Sequence, residues 1–323
     1  MGRFVFSISI VILGIGVGYM IQVLTKRKNL TLSIDTLKRK LQRSALLFFN
    51  PVAILGATWV ANIHDIKIAA LPFMGMTALF FGGGIAFLAS RIMKFSRKQT
   101  GSYIVCGGFT NIGSLGALFC FMLLGEKGFA LVPFYKLFEE LIYYAIGFPI
   151  AKSYSDDLTQ NLSFVQRLKT SATDIFVVMA VLSITIGLVL NASAIPRPDV
   201  YALVNSVFIP LAAFLLLISI GLSMQFSSVK TYLKPGLIIA MIKFALVPVM
   251  ILGLGYLLGL NQIDNGLPLK VLLILSSMPV GFIAMVPPTI YHLDIDLANA
   301  CWLITNAALL FEIPLLLFFL RFI

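Results

Sequence analysis

Between Gly101 and Leu124 the chain reads GSYIVCGGFTNIGSLGALFCFMLL, a run long and apolar enough to cross a bilayer. Its middle carries Gly107, Gly108, Thr110, Asn111, Gly113, Ser114 and Gly116, which weaken a helix where hydrocarbon most demands one. A backbone break at that depth is tolerated only where other protein or a water-filled cavity supplies hydrogen-bond partners, so it points to a binding site near the membrane midplane. A second run, VLLILSSMPVGFIAMVPPT from Val271 to Thr289, repeats the pattern, with Ser276, Ser277, Pro279 and Gly281 at its centre. Paired interrupted spans are the pattern of a secondary transporter.

The rest of the chain agrees with a polytopic membrane protein. Hydrophobic residues make up 59% and charged residues only 11%, against about 25% charged in soluble domains. The net charge of +11 comes largely from short basic clusters between apolar runs, where lysine and arginine set topology, so nucleic acid is not a partner and lipid is. Cys106, Cys120 and Cys301 lie inside apolar runs without metal-ligand spacing, so neither a disulfide framework, a zinc site nor another cofactor is called for. The first run, Phe4 to Leu24, is longer than a signal-peptide core, and its Gly14, Gly16 and Gly18 predict close packing against another helix.

Apolar runs of about 20 residues number ten in two groups of five: Phe4–Leu24, Leu41–Ala61, Ile68–Ile92, Gly101–Leu124 and Phe129–Ala151, then Ser171–Ala192, Val200–Met224, Pro235–Leu260, Leu267–Thr289 and Leu297–Leu320. The expected organisation is a five-helix repeat over residues 1–155, a cytoplasmic linker over 156–170 and a second five-helix repeat over 171–323. Lysine and arginine concentrate in alternate loops, at Lys26–Lys28 and Lys38–Arg43, Arg91–Lys98, Lys152–Lys169 and Lys230–Lys234, which places both termini outside the plasma (inner) membrane. With an odd number of spans per half, the halves are inverted relative to each other.

A rise of about 1.5 Å per residue places Asn111 of span four and Pro279 of span nine near the midplane. Thr110, Asn111, Gly113 and Ser114, with Pro279, Val280, Gly281 and the tenth-span Asn306, are therefore the candidate substrate-binding residues. Glu139 and Glu140 of span five reach the same depth. An ionisable residue there is a functional candidate by default, because burying it costs at least about 2.5 kcal/mol. Lys136, three and four residues earlier, offers the competing role of ion-pair partner, and the four-residue spacing favours Glu140 for it. Lys243, about 12 Å from the cytoplasmic end of span eight, is expected to snorkel to the interface.

The stretch GFTNIGSLGALFCFMLLGEKGFALVPFY, from Gly108 to Tyr135, resembles the fourth span and following G-E-x-G turn of bacterial members of the auxin efflux carrier family. SSMPVGFIAMVPPTIYHLDIDLANACWLIT, from Ser276 to Thr305, resembles that family's ninth span and turn. The resemblance implies an all-α fold of ten transmembrane helices in two inverted repeats, with helices four and nine as broken crossovers. It also implies transport or facilitated export of a small organic anion, linked to protons or to sodium. Spans one, two, six and seven would form a scaffold, through which a homodimer would assemble, and the other spans a moving core. The chain departs from the family in having Gly113 and Ser114 where a crossover proline is common, and Glu139 and Glu140 where amides are common. The sodium and bile acid symporter family shares the general fold and is the alternative, as is a transporter-derived channel or sensor. No paired aspartates and no midplane serine and histidine favour an enzyme.

The charge pattern makes the topology testable. Single cysteines at Lys28, Lys98 and Lys230 are expected to be protected from an impermeant thiol reagent in intact cells, and one at Lys127 to react; the reverse pattern overturns the orientation.

Overall fold

The computed structural model describes residues 2–27, 33–61, 65–155, 173–193 and 195–323, with side chains from Ser9 onward. The linker expected at 156–170 lies outside the described residues. In chain order the helices are α1 (Gly2–Arg27), α2 (Ile34–Ser44), α3 (Asn50–Trp59), α4 (Leu71–Ile92), α5 (Arg97–Gly108), α6 (Ala117–Tyr135), α7 (Glu139–Ile142), α8 (Phe148–Ser153), α9 (Ile175–Ala192), α10 (Val200–Gly221), α11 (Leu233–Met241), α12 (Val247–Leu257), α13 (Leu267–Ser276), α14 (Val286–Ile290) and α15 (Ile295–Phe319). Among the described residues there is no strand, and one isolated antiparallel bridge joins Thr110 to Val280.

Seven stretches among the described residues are long and apolar enough to cross a membrane: Ser9–Arg27, Ile66–Ile92, Ile112–Ser153, Ile175–Ala192, Val200–Gly221, Leu233–Leu257 and Ile295–Phe319. Of the ten expected runs, Leu41–Ala61 and Leu267–Thr289 are not among these seven, and the fourth and fifth share one stretch. The interruptions leave α5 and α13 as half-length helices of 12 and 10 residues, too short by themselves for a core about 30 Å thick. In addition, Ile112–Ser153 is a composite of 42 residues, divided by the non-helical backbone of Gly125 at φ 74°, a region open to glycine because it lacks a Cβ.

The chain forms two compact units that cut across its two halves. One comprises Met1–His64, Gly113–Pro133 and Ile175–Met224, and so gathers α1, α2, α3, α9 and α10, together with most of α6, which belongs to a span the resemblance places in the moving core. Within it α1 packs on α10 and α9 on α3. Gly18 and Gly221 bring backbone against backbone, since a Cβ on Gly18 would lie 2.1 Å from the Ile218 carbonyl oxygen. Gly14 also faces α10, whereas Gly16 meets nothing within 4 Å, so two of the three expected glycines serve the packing. Glu126 pairs with Arg197 and accepts from the Asn205 amide, and Arg197 Nη1 also donates to the Gly56 carbonyl at 2.8 Å.

The other unit comprises Asp65–Ile112, Phe134–Asp174 and Gln225–Ile323. Here α5 starts at a Ser96 capping box with Gln99, which covers amide groups that a helix start leaves unpaired. It then runs against α4 so closely that a Cβ on Gly107 would sit 2.4 Å from the Gly82 carbonyl oxygen and 2.3 Å from Ala86 Cβ. Helix α15 packs on α11 and α5, and α12 packs on α13.

Three π-helical turns share one cause. Ala45–Phe49, Tyr143–Gly147 and Ile242–Leu246 are followed by Asn50-Pro51, Phe148-Pro149 and Val247-Pro248. A proline lacks an N–H and its ring clashes with the carbonyl four residues back, here Leu47, Ala145 and Phe244; each lies within the widened turn. Two of these turns carry side chains that meet the interruptions.

The α4 and α5 contact gives a test. Gly107→Ala overpacks it at a cost of about 1–3 kcal/mol, which is expected to lower the melting temperature of the detergent-solubilised protein. Gly84→Ala, at a glycine with nothing within 4 Å, is the control and should melt like the parent. Equal melting of all three would show that the close approach does not constrain the fold.

Candidate functional site

Helix α5 stops at Gly108 and α13 at Ser276; extended backbone follows at Phe109 in the first case and after the turn at Ser277 in the second. The two extended pieces, Phe109–Asn111 and Pro279–Gly281, run antiparallel. Asn111 N donates to the Pro279 carbonyl at 2.9 Å and Gly281 N to the Phe109 carbonyl at 3.1 Å, around the Thr110–Val280 bridge. Glycine at 281 permits this approach, because a Cβ there would lie 2.8 Å from the Thr110 carbonyl oxygen.

The remaining amides of the crossing are met by side chains. Thr110 N donates to the Tyr143 hydroxyl at 3.1 Å, and Val280 N to Thr305 Oγ1 at 3.2 Å. Tyr143 in turn donates to Glu139 Oε1, and its ring lies 4.1 Å from that of Phe109, centroid to centroid. On the carbonyl side, Lys243 Nζ donates to Gly108 O at 3.3 Å and to Thr110 Oγ1 at 2.7 Å. The Lys243 side chain belongs to the π turn before Pro248 and is 1% exposed. It has no carboxylate within 4.0 Å among the described residues. Lys243 therefore does not snorkel: the widened turn and the two oxygens at the end of α5 hold its ammonium inside the protein.

Of the residues singled out from the sequence, Thr110, Asn111, Pro279, Val280 and Gly281 meet directly. Asn306 follows Thr305 on α15; its Nδ2 donates to the Trp302 carbonyl at 2.7 Å, and its Oδ1 is buried without a hydrogen-bond partner among the described residues. Ser277 Oγ, at the end of α13, is likewise buried and unpartnered among them. Gly113 and Ser114 lie in the π turn Ile112–Gly116 and belong to the other compact unit. Glu139 is 5% exposed, the Glu140 side chain 32%. Lys136 serves both, with Nζ 3.4 Å from Glu139 Oε2 and 3.6 Å from Glu140 Oε1. The spacing favoured Glu140, whereas Lys136 reaches both carboxylates and lies nearer Glu139.

Two residues of the site were not anticipated, Tyr143 as a partner of the broken backbone and Lys243 as a buried cation. The signal for both was local: each stands five or six residues before a proline in the middle of an apolar run, where a helix can widen.

The comparisons with known proteins agree with this architecture. An uncharacterized transporter of Methanocaldococcus jannaschii is 26% identical over 259 residues, covering 78% of this chain and 79% of its own length. One of Methanothermobacter thermautotrophicus is 22% identical over 266 residues, covering 82% and 83%. The profile of the family described as membrane transport protein matches residues 7–317. By that match, which spans nearly the whole chain, the protein belongs to the membrane transport protein family, the family of the auxin efflux carriers.

Proposed function

We propose that this protein is a secondary transporter of a small organic anion in the plasma (inner) membrane, with the antiparallel meeting of Thr110 and Val280 as the crossover at the centre of its site. The observation that carries the reading is the buried Lys243 ammonium at that meeting point, with no carboxylate within 4.0 Å of it among the described residues. An uncompensated buried charge is costly, and an arriving carboxylate offsets that cost. The buried Ser277 hydroxyl and Asn306 Oδ1 add polar groups that lack a partner among the described residues, and the backbone entering the 3₁₀ turn Phe282–Met285 brings the positive end of a helical segment. Asn111 supplies an oriented amide.

In this reading the chain has ten spans in two inverted five-span repeats, both termini face outward, and transport runs by alternating access. The unit holding the interruptions is the mobile one. The unit of α1–α3, α9 and α10 is the scaffold and the surface on which a second copy pairs. Glu139, hydrogen-bonded to Tyr143 and through it to the crossover backbone, carries the coupling proton, and Glu140 helps to neutralise Lys136.

Reconstituted protein screened by thermal shift against organic acids tests the reading, since a ligand that binds the folded state raises its stability. Asn111→Ala is expected to weaken binding by about tenfold, the value of one hydrogen bond of about 1.4 kcal/mol. Pro279→Ala should weaken it too, by letting the broken helix close, and both variants remain folded. Unchanged affinity and flux in both would make the interruptions packing features.

The acidic pair separates two roles. Glu139→Gln is expected to abolish accumulation driven by a pH gradient while sparing substrate exchange without one. Glu140→Gln leaves Lys136 its Glu139 partner, so it should lose less than about 1 kcal/mol of stability and still accumulate substrate. If both variants accumulate substrate like the parent, neither carboxylate couples transport to protons.

A further inference from the structure

We infer that the Lys243 ammonium is a resident cation, occupying the place at the end of α5 where a transporter of this plan would otherwise bind free sodium. The inference deepens the transport reading and rests on it for its consequence, that the cycle needs no sodium.

The end of a helix presents carbonyls without intrahelical partners and carries partial negative charge. Broken transporter helices use such carboxyl ends and unwound carbonyls to coordinate a cation. Helix α5 ends in this way at Gly108, and the next side-chain oxygen is the Thr110 hydroxyl. Lys243 Nζ touches both, at 3.3 and 2.7 Å. A backbone carbonyl and a hydroxyl are neutral oxygen donors of the kind a hard cation takes. Here they are given to an ammonium that is tethered to the chain.

Three features make this a built site rather than a chance contact. The side chain is 1% exposed, so the charge is held out of water deliberately. It stems from the π turn that precedes Pro248. Its charge is not spent on a carboxylate within 4.0 Å among the described residues, so the ammonium offers the crossing what a bound sodium ion would offer: one positive charge and bonds to oxygen. A lysine does so at no cost in ion concentration and cannot leave, which fixes the occupancy of the site through the cycle.

The test reads stability without any substrate, so its failure is distinct from failure of the transport reading. The purified protein is melted in sodium, potassium and choline chloride at equal ionic strength. The parent is expected to melt at the same temperature in all three. Lys243→Ala, which removes the charge and opens the space, should melt lower and regain about 2–4 °C as ethylammonium or sodium chloride replaces choline chloride. Lys243→Met, which fills the space with an uncharged chain, should gain nothing from either. Stabilisation of the parent by sodium over choline would overturn the proposal. So would a Lys243→Ala protein indifferent to both cations, or a Lys243→Met protein that gains as much as Lys243→Ala. Substrate-dependent uptake by the parent that is equal in sodium and choline supports the consequence for transport, and an absolute need for sodium overturns it.

Discussion

In an apolar medium a peptide N–H without a partner costs several kcal/mol, and the unit built around the interrupted helices depends on meeting that demand. Four amides of the two extended pieces are free of any helix: those of Thr110, Asn111, Val280 and Gly281. Two are met by the opposite backbone, through Pro279 and Phe109. The other two are met by Tyr143 and Thr305, side chains on helices that follow each interruption in the chain. The pairing is reciprocal, since each broken span supplies one backbone acceptor to the other. Without the other, each interruption would leave one of its amides without a partner.

The prolines extend the same reasoning to side chains. A helix that widens before Pro149 and Pro248 changes the direction in which the preceding residues project. Tyr143 and Lys243 are each the first or second residue of such a turn. The two groups that hold the first interruption, one from the amide side and one from the carbonyl side, are therefore placed by backbone chemistry that lies outside the interruption itself. Pro51 follows the same kind of turn in the other unit, where no such crossing is found among the described residues, and Pro210 and Pro314 lie inside unwidened helices, so proline permits the wide turn and the neighbouring side chain sets its use.

Much of this was legible in the sequence. The glycines and Asn111 of the fourth apolar run, and Pro279 and Gly281 of the ninth, mark both interruptions, because no polar or helix-breaking cluster survives in hydrocarbon without partners. That Asn111 N bonds to the Pro279 carbonyl was not legible. A pairing between residues so distant in the chain leaves no local pattern. Lys243 was misread for a related reason: depth along a span follows from the rise per residue, but the direction of a side chain follows from the turn it sits in, and a π turn shifts it away from the regular 100° step. Helical spacing favoured Glu140 as the partner of Lys136, but Lys136 lies in the turn between α6 and α7, where its flexible side chain comes within 3.4 and 3.6 Å of Glu139 and Glu140.

The hydrogen bonds around Tyr143 join two buried ionisable groups of this unit, Glu139 and Lys243. A tyrosine hydroxyl has one proton to give and can accept in return. It accepts from Thr110 N at 3.1 Å, and it faces two acceptors, the Glu139 carboxylate and the Thr110 carbonyl at 3.4 Å. While Glu139 is ionised it is the stronger acceptor and holds the proton. A protonated Glu139 has less need of it, and the hydroxyl is then free to turn to the Thr110 carbonyl. Thr110 is also the residue whose Oγ1 holds Lys243. The ionisation of Glu139 is thus tied, through one rotatable O–H, to the backbone on which the buried ammonium rests.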